Sequence, residues 1–295
     1  MTPPHPYRGA RVVLATRHGK QRVIGRALRH GLGAELVHLA DLDTDQLGSF
    51  CGAVPRSMTA LQACIAKAEL ALAHADSDLA IASEGSFGPH PALPLLAVGV
   101  EVMVFLDRQR GLTIHDHLQA RRTNFASRRL TAEAISSGSF SAELERWLVA
   151  VGFPSHGLIV RRDGSQAGVG ALHKGIHRPE ELLAVIRKLL IEEPAGLIRL
   201  ETDMRAHCNP TRMASIRQLS FRLVRRLRSQ CPGCGSPGWG AIGSEAGLPC
   251  GWCGEPTAMV RSEIHGCVVC DQRLELPRRD GRLSADPGHC LHCNP

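Results

Sequence analysis

The chain has 295 residues, 43% of them apolar and only 4% aromatic, with a formal net charge of +7. That length accommodates one large domain and a small one, with a core built mainly from aliphatic side chains. No apolar run approaches the roughly 20 residues of a membrane span, and the start, Met1-Thr2-Pro3-Pro4-His5-Pro6, lacks the apolar centre of a secretory leader; the expectation is a cytoplasmic protein without membrane attachment, in which paired cysteines mean metal rather than disulfide.

After the proline-rich lead, Arg11-Val12-Val13-Leu14-Ala15 reads as a buried first strand. The polar turn Thr16-Arg17-His18-Gly19-Lys20 follows, and Gln21 to Arg29 reads as a helix with Val23, Ile24 and Leu28 on one side. A strand, a tight loop and a helix N-terminus form a common phosphate cradle, because the first helical turn offers free N–H groups and the positive end of its dipole. Thr16, Arg17 and Lys20 are therefore candidate phosphate ligands. The turn has a single glycine and is no glycine-rich phosphate loop; a plain turn with solvated basic residues is the competing account.

Ala34 to Leu39 reads as a second strand. Ser57 or Thr59 caps an Ala-rich helix from Ala60 to Ala73. Leu79-Ala80-Ile81-Ala82 is an apolar strand that runs into a polar loop, Ser83-Glu84-Gly85-Ser86-Phe87-Gly88-Pro89-His90-Pro91. In parallel sheets ligands bind beyond the carboxyl ends of strands. Glu84 is thus a candidate catalytic carboxylate, holding Mg²⁺ or acting as general base; the alternative is a rigid turn in which it caps backbone amides.

Further strands are expected at 101–107, 157–162 and 196–203, and helices at 141–151 and 179–192. This alternation predicts an α/β domain over residues 9–203, with a mixed, mostly parallel sheet and flanking helices. Residues 204–228 then form an Arg-rich loop and connecting helix, which starts at Asn209-Pro210. Seven Arg and no acid lie between 205 and 228. Guanidinium groups favour bidentate anion contacts, which makes Arg205 and Arg212 phosphate-binding candidates, with a solvated basic face as the alternative. Asp203 and His207 are candidates for an acid–base couple.

The strongest motif is the tail, residues 229–295. It carries four CxxC knuckles: Cys231-Cys234, Cys250-Cys253, Cys267-Cys270 and Cys290-Cys293. Fifteen residues separate the first knuckle from the second, and nineteen separate the third from the fourth. Taken in sequence order, these are two successive zinc ribbons, each a closed four-sulfur structural site with no vacancy for water. Residues 231–295 hold five Arg against seven Asp and Glu, and thiolate ligands add negative charge. Such a tail is suited to bracing the fold or meeting a protein rather than gripping phosphates.

The segments Glu84 to Pro91 and Thr202 to Met213, followed by the paired CxxC tail, resemble a bacterial family of unknown function over nearly the whole chain. Residues 11–107 are also similar in motif order to inosine/xanthosine triphosphate pyrophosphatases, through Ala15 to Lys20, the Ala-rich helix with Lys67, and Ile81 to Gly85. That resemblance implies phosphate ligands at Thr16 and Lys20 and the acidic residue at Glu84, although Arg17 stands where that family has Asn. The resulting expectation is a Mg-dependent hydrolase of a nucleotide or other phosphorylated substrate, with two structural zinc ions. The alternative is a non-catalytic module that binds nucleic acid through the Arg-rich helix and protein through the ribbons.

Overall fold

The computed structural model describes residues 5–42, 58–90, 93, 95–120, 122–136, 139–163, 172–194 and 196–295. The chain divides into two compact units, one of residues 1–111 and 115–223 and the other of residues 112–114 and 224–295.

The first unit begins with β1 (Arg11–Ala15), α1 (Gln21–Leu32), β2 (Glu35–Leu39), α2 (Ala60–Ala73), β3 (Leu79–Pro89), β4 (Ala97–Asp107) and β5 (Leu112–Ala120). The five strands form a sheet in the order β2-β1-β3-β4-β5. β1 pairs parallel with β2 and β3, because helices α1 and α2 carry the chain back across the sheet; β3 pairs antiparallel with β4. Alternation along the strands sorts the side chains. Val13, Ala15, Ala80, Ala82, Val102 and Val104 form one core with Cys64, Ala68, Ala71 and Leu72 of α2. Ile81, Ser83 and Gly85 therefore face the other side.

The helix boundaries have local causes. Thr59 accepts from the Gln62 amide while the Gln62 side chain returns to Thr59, a complete capping box at the start of α2; Ser57 lies outside the described residues. Helix α1 ends where Gly33 takes a left-handed conformation and its N–H reaches Arg29 O.

The unit continues through β6 (Ser127–Leu130), the short pair β7 (Ile135–Ser136) and β8 (Ser139–Phe140), α3 (Ala142–Ala150), β9 (Leu158–Arg162), β10 (His173–Ile176), α4 (Pro179–Glu192) and β11 (Ile198–Thr202). A second sheet, β10-β9-β11-β6, is antiparallel throughout. Leu144 and Leu148 of α3 and Leu182, Ile186 and Leu189 of α4 share a core with its apolar residues, among them Leu158, Val160, Ile198 and Leu200.

Mixed sheets with flanking helices match the expected class, but the expectation of mostly parallel pairing is corrected: antiparallel pairs prevail. Most strands here are joined without a crossover helix, and direct reversal yields antiparallel neighbours. The polar stretch from Ser83 is likewise no free loop as far as Pro89. It is the second half of β3, its backbone paired with Ala97 to Met103.

Helix α5 (Pro210–Arg228) starts as the Asn-Pro signal predicts, with Asn209 Oδ1 accepting from Arg212 N at 2.9 Å. The boundary between the two units falls within it, after Leu223. The second unit contains an antiparallel sheet of β12 (Gly240–Ala246), β13 (Val260–Gly266) and β14 (Arg273–Pro277). Among the described residues, no helix is long and apolar enough to cross a membrane.

Candidate functional site

In the first unit, β1 delivers the turn Thr16 to Lys20 at its carboxyl end, against α1. Gly19 sits at φ +72°, and a Cβ there would come within 3.5 Å of His207 Cβ. Thr16 is buried and its hydroxyl accepts from His18 N at 3.3 Å, while Arg17 is exposed. Lys20 occupies the N-cap position of α1 with no side-chain cap there. Its own side chain is buried and donates to Ser83 O at 2.7 Å. Burial, and next the charge of Arg212, push the Lys20 ammonium down to about 8, against the upward pull of Glu84 and Glu101. Beside it the Ser83 hydroxyl is buried, 4% exposed, with no hydrogen-bond partner among the described residues.

Two buried ion pairs flank this lysine. Lys67 of α2 meets Glu84 Oε2 at 2.5 Å. Arg212 of α5 meets Glu101 Oε1 at 2.6 Å and also donates to Met204 O at 2.5 Å. Glu84 is 1%, Glu101 0% and Arg212 2% exposed. Gly85 is required here, since a Cβ would fall 2.7 Å from Arg212 Nη2 and 2.8 Å from Glu101 Oε1. The Arg212 guanidinium also lies 5.2 Å from the Phe87 ring centroid. Among the described residues, three cations thus meet two carboxylates, leaving one buried positive charge in excess.

The loop after β11 closes over the same turn. Asp203 accepts from Arg205 N at 3.0 Å, Arg205 Nη2 at 2.6 Å and Gly175 N at 3.1 Å. Burial opposes ionisation of Asp203, but the hydrogen bonds and charge of Arg205 outweigh it and hold the carboxyl below its usual range. The His207 ring lies beside that of His18, with centroids 5.2 Å apart and the planes tilted by 32°. Burial, then Arg205 and His18, lower its pKa, so the imidazole is neutral at neutral pH. Burial and Asp203 push the Cys208 thiol up to about 11, which makes it an inert thiol rather than a nucleophile.

Folding therefore gathers Thr16, Lys20, Arg212 and His207 around one turn, with Glu84 and Asp203 each bound to a cation. Magnesium does not fit this arrangement. Glu84 is held by Lys67 and Glu101 by Arg212, and strand parity directs the two carboxylates to opposite faces. Ser83 and Glu101 belong to the cluster without having been proposed as site residues from sequence, and Lys67 was noted only as part of a resemblance. Their signal was a charge or hydroxyl inside an otherwise apolar helix face or strand.

In the second unit the knuckles pair out of sequence order. Cys231, Cys234, Cys267 and Cys270 form one tetrad, and Cys250, Cys253, Cys290 and Cys293 form the other. First goes with third and second with fourth, which corrects the expectation of two successive ribbons. The three-stranded sheet explains it, because hairpin pairing of β12 with β13 brings the first knuckle, just before β12, to the third, just after β13. The Sγ separations are 3.7 Å for Cys231–Cys270, 3.6 Å for Cys234–Cys267, 3.9 Å for Cys250–Cys293 and 3.6 Å for Cys253–Cys290. A tetrahedron with metal–sulfur bonds of about 2.3 Å has edges of about 3.8 Å. Backbone amides of Gly233, Trp252 and Val269 approach the sulfurs of Cys231, Cys250 and Cys267 at 3.3 to 3.4 Å, as the CxxC turn requires. Each tetrad can hold a metal ion.

Residues 67–295 match the family described as "Domain of unknown function (DUF6671)". The chain belongs to this family. The DUF6671 match takes in Lys67, Glu84, Glu101, Arg212 and both tetrads, and begins after the turn that carries Thr16 and Lys20. Comparison with curated proteins found no match, and comparison with solved structures found none either.

Proposed function

We propose that the protein is a cytoplasmic hydrolase of a nucleotide or other phosphorylated substrate, with a C-terminal unit braced by two structural zinc ions. The observation that carries this reading is Lys20, a buried ammonium at a helix N-terminus whose hydrogen bond goes to a backbone carbonyl. A phosphate entering there gains the positive end of the α1 dipole, the excess cluster charge and the Ser83 hydroxyl, which has no hydrogen-bond partner among the described residues. Thr16 and Arg17 lie on the same turn, while Arg205 supplies positive charge from the loop after β11 and Arg212 from the first turn of α5. The resemblance of residues 11–107 to inosine/xanthosine triphosphate pyrophosphatases supports the same placement.

His207 is the group suited to accept a proton from water, being neutral and packed beside the turn. Glu84 and Asp203 act electrostatically, the first by holding Lys67 and the second by orienting Arg205. Zinc is proposed for the tetrads because four thiolates in a closed tetrahedron match its preferred structural site.

The test is hydrolysis of a panel of nucleotides and sugar phosphates, with and without added Mg²⁺, by the wild-type protein and by Lys20→Met and His207→Asn. The reading requires Lys20→Met to raise KM or abolish binding, and His207→Asn to lower kcat with little change in affinity. Absence of turnover across the panel, together with unchanged phosphate binding in Lys20→Met, refutes it.

A further inference from the structure

A second basic feature lies within the first unit, apart from the Lys20 turn. An open groove of about 870 Å³ runs between the end of β5 and the exposed side of α5. Arg122, Arg217 and Arg222 line it, together with Gln119, Gln218 and Phe221. Arg222 is engaged by Asp116, Nη2 to Oδ1 at 3.0 Å and Nε to Oδ2 at 3.2 Å. Arg122 and Arg217 are exposed and form no ion pair among the described residues. Phe221 is 38% exposed although it sits on a helix whose apolar face is otherwise buried.

We infer that this groove binds single-stranded nucleic acid. Two unpaired guanidinium groups suit successive backbone phosphates. A partly exposed aromatic ring in the same groove offers a stacking platform that only an unpaired base can use, and a basic track with an aromatic platform is the general design of single-strand sites. The glutamine amides offer donors and acceptors to base edges without enforcing one sequence. An acidic peptide would use the arginines but leave the ring without a π partner, and a duplex would offer it no free base face.

The test is fluorescence anisotropy with labelled oligothymidylate and oligouridylate of about 15 nucleotides, near the upper end of a single-strand site, beside a duplex of the same length and polyglutamate. The inference requires the single strands to bind best. The double variant Arg122→Ala/Arg217→Ala should bind at least about tenfold more weakly, with the log–log salt slope flatter by about 1.4. Phe221→Ala should weaken binding about tenfold while leaving that slope unchanged, and Arg217→Lys should keep the slope. DNA and RNA share the chemistry, and the stronger of the two oligonucleotides names the source. Lys20→Met should bind the oligonucleotide as the wild type does, which separates this surface from the proposed phosphate site. The inference is overturned if duplex or polyglutamate binds as tightly as the single strands, if the arginine or Phe221 variants bind like the wild type, or if Lys20→Met abolishes binding.

Discussion

Lys20 is the residue on which the proposed chemistry of the first unit rests, and its titration has a definite sign. Its folded pKa of about 8 lies below the ordinary lysine value of 10.5. Between those values the unfolded chain binds more protons than the folded one, so stability without ligand rises with pH across that window. A bound phosphate needs the ammonium charged. Stabilisation by inorganic phosphate, read as a thermal shift, is therefore expected to shrink as pH rises through about 8. Turnover should follow a bell, rising as His207 loses its proton at a pKa below the ordinary 6.5 and falling as Lys20 loses its own. A profile flat from pH 5 to 10 would remove both residues from the mechanism. Gly85 makes a purely structural prediction. Gly85→Ala drives a methyl group into the Arg212–Glu101 pair and should cost about 1–3 kcal/mol by urea denaturation.

At the scale of elements, the predicted helices emerge because their signals are local. Thr59 with Gln62, Ser141 before α3, Pro179 with two following glutamates and Asn209-Pro210 each satisfy backbone groups or the dipole within one turn. Thr59→Ala should accordingly cost about 1 kcal/mol in equilibrium unfolding, and an unchanged midpoint would show that the capping box carries no stability. Strands were less legible. The stretch Ser83 to Pro89 has the glycines and proline of a loop, yet pairing with β4 makes it strand. Neither β6 nor β10 was anticipated, since each is only four residues long and is defined by its neighbours in the sheet. Glu101 was hidden for the same reason. A carboxylate at the head of an apolar strand acquires meaning only when Arg212, more than a hundred residues later, is folded against it.

For the whole molecule, interleaving of the tetrads has a testable signature. In Cys234→Ser/Cys270→Ser both changes fall in one tetrad, so about half the wild-type metal should remain bound. In Cys234→Ser/Cys253→Ser one change falls in each tetrad, and almost no metal should remain. Elemental analysis of purified protein distinguishes the two; the reverse pattern would restore the sequential pairing. Sequence alone determined that eight cysteines in four CxxC turns offer metal-ligand sets, because a knuckle is a local turn that presents both of its sulfurs by itself. Which knuckle joins which was decided only by the tertiary structure, since that depends on how β12, β13 and β14 bring distant turns together. The same division holds in the first unit. A basic turn between a strand and a helix was evident from adjacent residues, whereas the buried excess charge around Lys20 exists only because α2, β3, β4 and α5 deliver their ionised side chains to one place, and summed electrostatics depends on distance in space rather than along the chain.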